Sequence, residues 1–160
     1  MTQRTLNDQR SQSQITGLLL PLQNEQRLLI PNITIAELAP RDTPYGQLEN
    51  SDRPWYEGEL SWRGQQIPVI RWEVLSGQAA QEDSEDWRFA VLNSLFDDYS
   101  GHFYALKIQG IPRMLRVEEG DLAPQSGVAP AAGALFSVDT ESGPALIPDL
   151  QWLEKQLQQN

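Results

Sequence analysis

The sequence WYEGELSWRGQQIPVI, residues 55–70, contains the clearest strand–turn–strand pattern in the chain. The runs from Tyr56 to Trp62 and from Gln66 to Val74 are rich in apolar, aromatic and β-branched residues, which favour strands. Arg63-Gly64-Gln65 separates the two runs, and a glycine there is typical of a tight hairpin turn. Pro68 predicts that the second strand lies at a sheet edge or contains a bulge, because proline donates no ladder hydrogen bond.

A second strand pair precedes this hairpin. The run from Ile15 to Leu22 predicts one strand, and residues 27–30 predict its partner across a turn at 23–26. Asn32 is positioned to cap a short helical turn through residues 33–38. Residues 39–54 are rich in proline, which predicts a loop.

Further strands follow an exposed linker at residues 76–86. We expect strands at 87–95, 102–109, 112–117, 134–138 and 145–147, with a loop at 118–130. Asp149 is positioned to cap a C-terminal helix, residues 149–158, whose Leu150, Leu153 and Leu157 share one face. The chain is therefore predicted to be mainly β, with a flexible arm at residues 1–14, hairpin-rich halves at 15–76 and 87–147, and a closing helix.

Composition excludes several classes of function. The 160 residues carry a formal net charge of −10, and no cluster of Lys and Arg is present, so nucleic-acid binding is not expected. The chain has no Cys, which excludes disulfide scaffolds, thiolate zinc sites and Cys nucleophiles. Residues 1–14 lack the apolar core of a signal peptide, and no apolar run reaches membrane-spanning length. We expect a cytoplasmic protein without membrane insertion.

The sequence shows no motif for catalysis or for cofactor binding. It lacks the Walker, dinucleotide-binding and G-x-S-x-G patterns, and the single histidine, His102, falls at the start of a predicted strand. Asp97 and Asp98 occupy a turn, where Asp is common for backbone reasons. The acidic run Glu82-Asp83-Ser84-Glu85-Asp86 lacks the alternating ligands and central Gly of a calcium loop. We predict no enzyme activity, no cofactor and no metal, with a carboxylate-only hydrolase as an alternative.

Four stretches of the chain stand out by their order and spacing. They are residues 18–38, with an apolar-x-Glu-apolar step at their end, 55–71, 103–110 and 145–153. In the second stretch, Gly58, Arg63, Gly64, Pro68 and Val69 match a signature in which an Asn-Leu-Arg-Gly turn is followed by Pro-Val and an Asp. This set of stretches resembles the CheW-like family of bacterial chemotaxis adaptors, and the resemblance covers about residues 15–157.

This resemblance implies a fold and a function. It implies two SH3-like five-stranded β-barrel subdomains on a shared core, and an adaptor without catalytic activity. The implied partners are a CheA-type histidine kinase and a methyl-accepting chemoreceptor. The alternative is a scaffold of another cytoplasmic complex, such as a pilus or secretion machinery.

The family's receptor-facing residues correspond to Ile35, Glu37 and Arg63, whereas no kinase-binding residues are assigned. Ile35 also fits a core position, and Arg63 also fits an exposed turn. Several signature residues differ here: Ser61 stands for Asn, Trp62 for Leu, Arg71 for Asp, Ala105 for Gly and Gln109 for Asp. These departures indicate a divergent branch, similar to the ChpC-like proteins of chemosensory pili and twitching motility.

Overall fold

The structure, a computed structural model, describes residues 15–48, 52–97, 99–118, 123–124 and 132–158. The predicted flexible arm at residues 1–14 and most of the predicted loop at 118–130 lie outside these residues. The strands are β1 (Ile15–Pro21), β2 (Arg27–Pro31), β3 (Ile35–Ala39), β4 (Tyr45–Gln47), β5 (Tyr56–Trp62), β6 (Gln65–Ile70), β7 (Arg88–Asn93), β8 (Phe103–Ile108), β9 (Arg113–Val117), β10 (Ala123–Pro124), β11 (Ala134–Thr140) and β12 (Gly143–Pro148). The helices are α1 (Trp72–Leu75) and α2 (Leu150–Gln158), and short 3-10 turns cover Gln23–Glu25 and Asn32–Thr34.

These strands form two six-stranded sheets. Sheet 1 has the order β10-β11-β12-β2-β1-β9, and sheet 2 has the order β3-β7-β8-β6-β5-β4. The neighbours pair antiparallel except β12 with β2 and β6 with β8, which are parallel. The prediction of a mainly β fold with few helices is confirmed. In the described residues each sheet is open between its end strands, so the two lobes are SH3-like sheets and not closed five-stranded barrels.

The sheets do not follow the predicted halves at 15–76 and 87–147. Sheet 1 joins the first hairpin, β1 and β2, to the C-terminal strands, while sheet 2 is built from residues 35–108. The reason lies in β1, where Leu18, Leu19 and Leu20 are all buried. A strand that buries both faces needs apolar layers on both sides, and β1 lies between its hairpin partner β2 and β9, which comes from a distant part of the chain.

Three layers of apolar side chains hold the sheets. A shared core lies between sheet 1, sheet 2 and the two helices, and each sheet also has an outer core on its other face. The shared core contains Leu18, Leu20, Leu22, Leu28, Ile30, Ile70, Trp72, Ala90, Leu92, Tyr104, Leu106, Ile108, Leu150, Leu153 and Leu157. The outer core of sheet 2 contains Ala39, Leu60, Trp62, Ile67, Val69, Phe89, Val91 and Ala105, and that of sheet 1 contains Leu19, Leu29, Leu115, Val138 and Ala145. Each fully buried Leu or Ile stabilises the fold by about 1.5–3 kcal/mol.

Three local predictions were wrong. The expected helical turn at 33–38 is a 3-10 turn followed by β3, because Ile35–Ala39 pairs with β7. The expected loop at 39–54 contains β4, which pairs with β5. The expected strand from Gln66 to Val74 ends at Ile70. Helix α1 begins two residues later, at Trp72, whose side chain is completely buried.

The C-terminal helix forms as predicted. The backbone N–H of Trp152 donates to Asp149 Oδ1 at 3.0 Å, which makes Asp149 its N-cap. Leu150, Leu153 and Leu157 all enter the shared core.

The same helix also buries a charged residue, Glu154, which is 0% exposed. Its carboxylate accepts hydrogen bonds from the hydroxyl of Ser94 and from the backbone N–H groups of Leu95 and Phe96. These three bonds fix α2 to the loop that follows β7.

We predict that Glu154→Ala destabilises the fold, whereas Lys155→Ala, at the exposed neighbouring position, does not. The alanine at 154 removes the acceptor of three partly buried donors, so the free energy of unfolding should fall by about 1–3 kcal/mol. Urea unfolding of the two variants measures the difference. Equal stability of the two variants would contradict this account of α2.

Candidate partner-binding site

The turn between β5 and β6 has an unusual backbone. Trp62 pairs with Gln65, so Arg63 and Gly64 alone form the turn. Their φ angles are 47° and 74°, as in the two-residue hairpin turns that match the twist of the strands. Gly64 therefore has the conformation expected from the sequence. Arg63 adopts the left-handed region that non-glycine residues seldom occupy, and such strain is a pointer to function.

Arg63 contacts one of the other two predicted site residues. Its Nη2 lies 2.9 Å from Glu37 Oε1, and Trp62 Nε1 donates to Glu37 Oε2, also at 2.9 Å. The Arg63 guanidinium stacks over the Trp62 ring, with Cζ 4.7 Å from the ring centroid. The side chains of Arg63 and Glu37 are 63% and 40% exposed. The three residues thus form a fixed polar group at the surface of sheet 2.

This arrangement holds Glu37 in its ionised form. The hydrogen bond from Trp62, and next the one from Arg63, lower the pKa of the Glu37 carboxyl below its ordinary value. The carboxylate in turn orients the guanidinium of Arg63. No motif in the sequence indicates that Trp62 takes part. The Trp at a position where the family has Leu was a usable signal, since a buried indole N–H needs an acceptor.

A bulge in β3 separates Ile35 from Glu37. Ile35 pairs with Leu92, which belongs to the shared core, whereas Glu37 pairs with Val91 in the outer core of sheet 2. Because successive residues of a strand face opposite sides, the bulge moves Glu37 to the side of Trp62. Ile35 is half-buried and packs against the shared core. The structure therefore brings together Glu37 and Arg63, and Ile35 lies apart from them on the same strand.

An apolar groove of about 180 Å³ opens on sheet 1. Its lining consists of Ile15, Gly17, Leu29, Ile30, Pro31, Val117 and Ile147. From Pro31 the chain enters β3 through the Asn32–Thr34 turn, where Ile33 is 86% exposed. A surface apolar groove with an exposed Ile beside it is a feature of binding sites.

Neither the single histidine nor the acidic residues of the described ranges form a catalytic or metal-binding group. His102 is exposed in the turn before β8, as the sequence predicted for a residue at the rim. Within the described ranges, no group of three or more His, Cys, Asp or Glu side chains has the geometry to hold a metal ion. No helix in the same ranges is long and apolar enough to cross a membrane.

The turn geometry predicts that substitutions at its two residues affect stability for different reasons. A methyl group at Gly64 meets no atom within 4 Å, so Gly64→Ala tests the backbone alone and should cost about 1 kcal/mol of stability. Arg63→Gly removes the strained conformation together with an exposed ion pair worth about 0–1 kcal/mol, and stability should stay within about 1 kcal/mol of wild type. Chemical unfolding measures both. A larger loss for Arg63→Gly than for Gly64→Ala would show that the Arg63 side chain has a structural role.

The titration of Glu37 provides a second test. Because its folded pKa is lowered, its contribution to stability is present above the ordinary pKa and is lost as the pH falls through the folded value. Trp62→Phe removes the first cause, so the pKa of Glu37 should rise towards its ordinary value. Carboxyl NMR titration measures each value. An unchanged pKa in Trp62→Phe would refute the assigned hydrogen bond.

Comparison with known proteins identifies the family of the chain. The family profile described as CheW-like domain matches residues 16–156. The solved structure of the scaffolding protein TtCheW from Thermoanaerobacter tengcongensis has a similar fold, with a TM-score of 0.68 and 18% sequence identity, over 84% of this chain and 88% of that chain. Curated protein sequences gave no match. Since the family profile covers almost the whole chain, this protein belongs to the CheW-like domain family.

Proposed function

We propose that this protein is a non-enzymatic cytoplasmic adaptor that couples a CheA-type histidine kinase to a chemoreceptor. The observation that carries the proposal is the fixed group of Glu37, Trp62 and Arg63 at the surface of a CheW-like fold. Arg63 keeps a strained backbone while its side chain remains largely exposed. An exposed ion pair adds little to stability, so binding accounts for this arrangement better than folding does.

The apolar groove on sheet 1 and the turn at Arg63 suit a receptor as the partner. A chemoreceptor tip presents helices, and a helix that docks on a protein inserts its apolar stripe into a groove. The groove on sheet 1 offers apolar walls for such a stripe. Arg63, already oriented by Glu37, offers a planar fork for a carboxylate or carbonyl on the helix. Because the turn holds Arg63 in place before binding, little entropy is lost on contact.

Ile35 belongs to the proposed receptor surface through its exposed part. It lies on β3, two residues before Glu37, and its buried part rests on the shared core. A change at Ile35 therefore affects folding and binding together. Arg63 is the better site for a test, because its side chain is 63% exposed.

We expect Arg63→Ala to weaken receptor binding strongly without unfolding the protein. Loss of a charged contact that becomes buried in an interface costs roughly 2–5 kcal/mol, which corresponds to at least ~30-fold weaker binding. A pull-down with the receptor's cytoplasmic fragment and a thermal melt, run on the same sample, provide the two readouts. Lys155→Ala, which removes an exposed cation on α2, is the matched control. Normal receptor binding by Arg63→Ala would contradict the assigned site.

The branch of the family is a finer proposal. The departures at Arg71 and Gln109 support the chemosensory-pili branch that serves type IV pili and twitching motility. Deletion of the gene for this protein is expected to impair twitching and to leave swimming intact. The alternative, a scaffold of a pilus or secretion complex, predicts that no CheA-type kinase co-purifies with the protein.

A further inference from the structure

The carboxylate of Asp83 is held by three side chains from sheet 2 and its edge. Arg71 Nη2 lies 2.5 Å from Oδ1, Gln109 Nε2 donates to Oδ1 at 2.9 Å, and Lys107 Nζ lies 2.7 Å from Oδ2. Both carboxylate oxygens therefore bind a cation. This is the set of partners that a protein site for a carboxylate ligand offers.

The two cations are deeply buried. Arg71 is 5% exposed and Lys107 is 4% exposed. Arg71 Nε also binds Glu57 Oε1 at 2.6 Å, and Lys107 Nζ lies 3.9 Å from Glu57 Oε2 and 4.5 Å from the centroid of the Trp87 ring. With Asp83 in place, each of the two cations lies within 4 Å of two acids, Asp83 and Glu57. Without Asp83, Glu57 alone among the described residues would pair with both buried cations, and a buried cation that has lost its partner favours uptake of an anion.

Asp83 itself belongs to a segment without regular secondary structure, residues 77–86, which we call the strap. At one end the strap binds the turn that joins β1 to β2: Gln23 Nε2 donates to the Ala79 carbonyl at 2.8 Å, and the Gln81 N–H donates to Gln23 Oε1 at 3.0 Å. At the other end the N–H of Ser84 donates to Gln109 Oε1 at 2.8 Å. The strap thus connects a turn of sheet 1 with the end of β8 in sheet 2.

Within the acidic run of the strap, Asp83 stands apart from its neighbours. Glu82, Glu85 and Asp86 are exposed, whereas Asp83 is partly buried. Burial opposes its ionised form, but the hydrogen bonds from Lys107 and Gln109 outweigh this effect and lower the pKa of the Asp83 carboxyl. Asp83 is therefore bound as an anion, and the other three acids remain in contact with solvent.

We propose that Arg71, Lys107 and Gln109 form a carboxylate-binding site which the chain fills with its own Asp83, so that Asp83 latches the strap across the two sheets. When Asp83 is absent, the site binds an external carboxylate. The two oxygens of a carboxylate satisfy Arg71, Gln109 and Lys107 at once, which a spherical anion such as chloride cannot do. The strap then sets how the turn at 23–26 sits against sheet 2.

Chemical rescue tests the binding site directly. In Asp83→Ala, formate at ~100 mM should raise the melting temperature above the value in chloride of equal ionic strength, as mass action requires for a ligand of the folded state. Wild type, whose site is filled, and Glu82→Ala, which loses an exposed acid of the same strap, should show no difference between the two salts. Equal melting temperatures of Asp83→Ala in formate and chloride would overturn the proposal.

Hydrogen exchange tests the latch, with milder variants that retain side-chain size. Amides of residues 77–86 and of the turn at 23–26 should exchange at least ~10-fold faster in Asp83→Asn than in wild type. Glu82→Gln removes the same charge one residue away and should leave the exchange unchanged. Equal protection in Asp83→Asn and Glu82→Gln would refute the latch. Neither experiment involves a receptor or a kinase, so the outcome is independent of the proposed adaptor function.

Discussion

Burial of both faces of β1 is the constraint on which the rest of the structure depends. Leu18 and Leu20 enter the shared core, while Leu19 enters the outer core of sheet 1. One strand therefore contributes to two apolar layers, and each sheet buries the face towards the shared core only against the other sheet and the helices. Gly17 belongs to the same constraint, since a Cβ there would lie 2.8 Å from Leu29 Cδ1. Later strands complete the sheet on both sides of the first hairpin, with β9 beside β1 and β12 beside β2.

Against this apolar framework, the candidate site is a small rigid addition at the surface. The turn at Arg63 and Gly64 accepts backbone strain, and Glu37 reaches it because a bulge turns β3 at that point. Folding alone would favour Gly or Asn at position 63. The choice of Arg places a charged fork at a fixed position, with a carboxylate and an indole beneath it. Strain and exposure at one residue are the combination expected of a binding residue.

Buried charges occur where the two sheets and the helices are tied together. Glu154 joins α2 to the loop after β7, and Glu73, 0% exposed with its pKa raised by burial, accepts the N–H of Gln23 from the first hairpin. Arg71 and Gln109, the positions where the sequence departs from the family's Asp residues, both contact Asp83. The two departures are thus physically linked, because one acid in the strap serves both.

The sequence by itself determined the local features. Apolar runs and turn residues located most of the strands, Gly64 marked the tight turn, and the spacing of Leu150, Leu153 and Leu157 with a cap at Asp149 located α2. The ordered motifs also indicated the family. Each of these signals depends on neighbours a few residues apart, whose side chains and backbone bonds act within one element.

Only the tertiary structure decided which strands share a sheet, because pairing joins distant residues and leaves little trace in a local pattern. It placed β1 and β2 with β9, β11 and β12, converted the expected helical turn at 33–38 into an edge strand, and brought Trp62 to Glu37. It also distinguished Asp83 from the three exposed acids around it. In sequence these four carboxylates are equivalent, and their roles differ because one of them meets two buried cations contributed by residues 12 and 24 positions away in the chain.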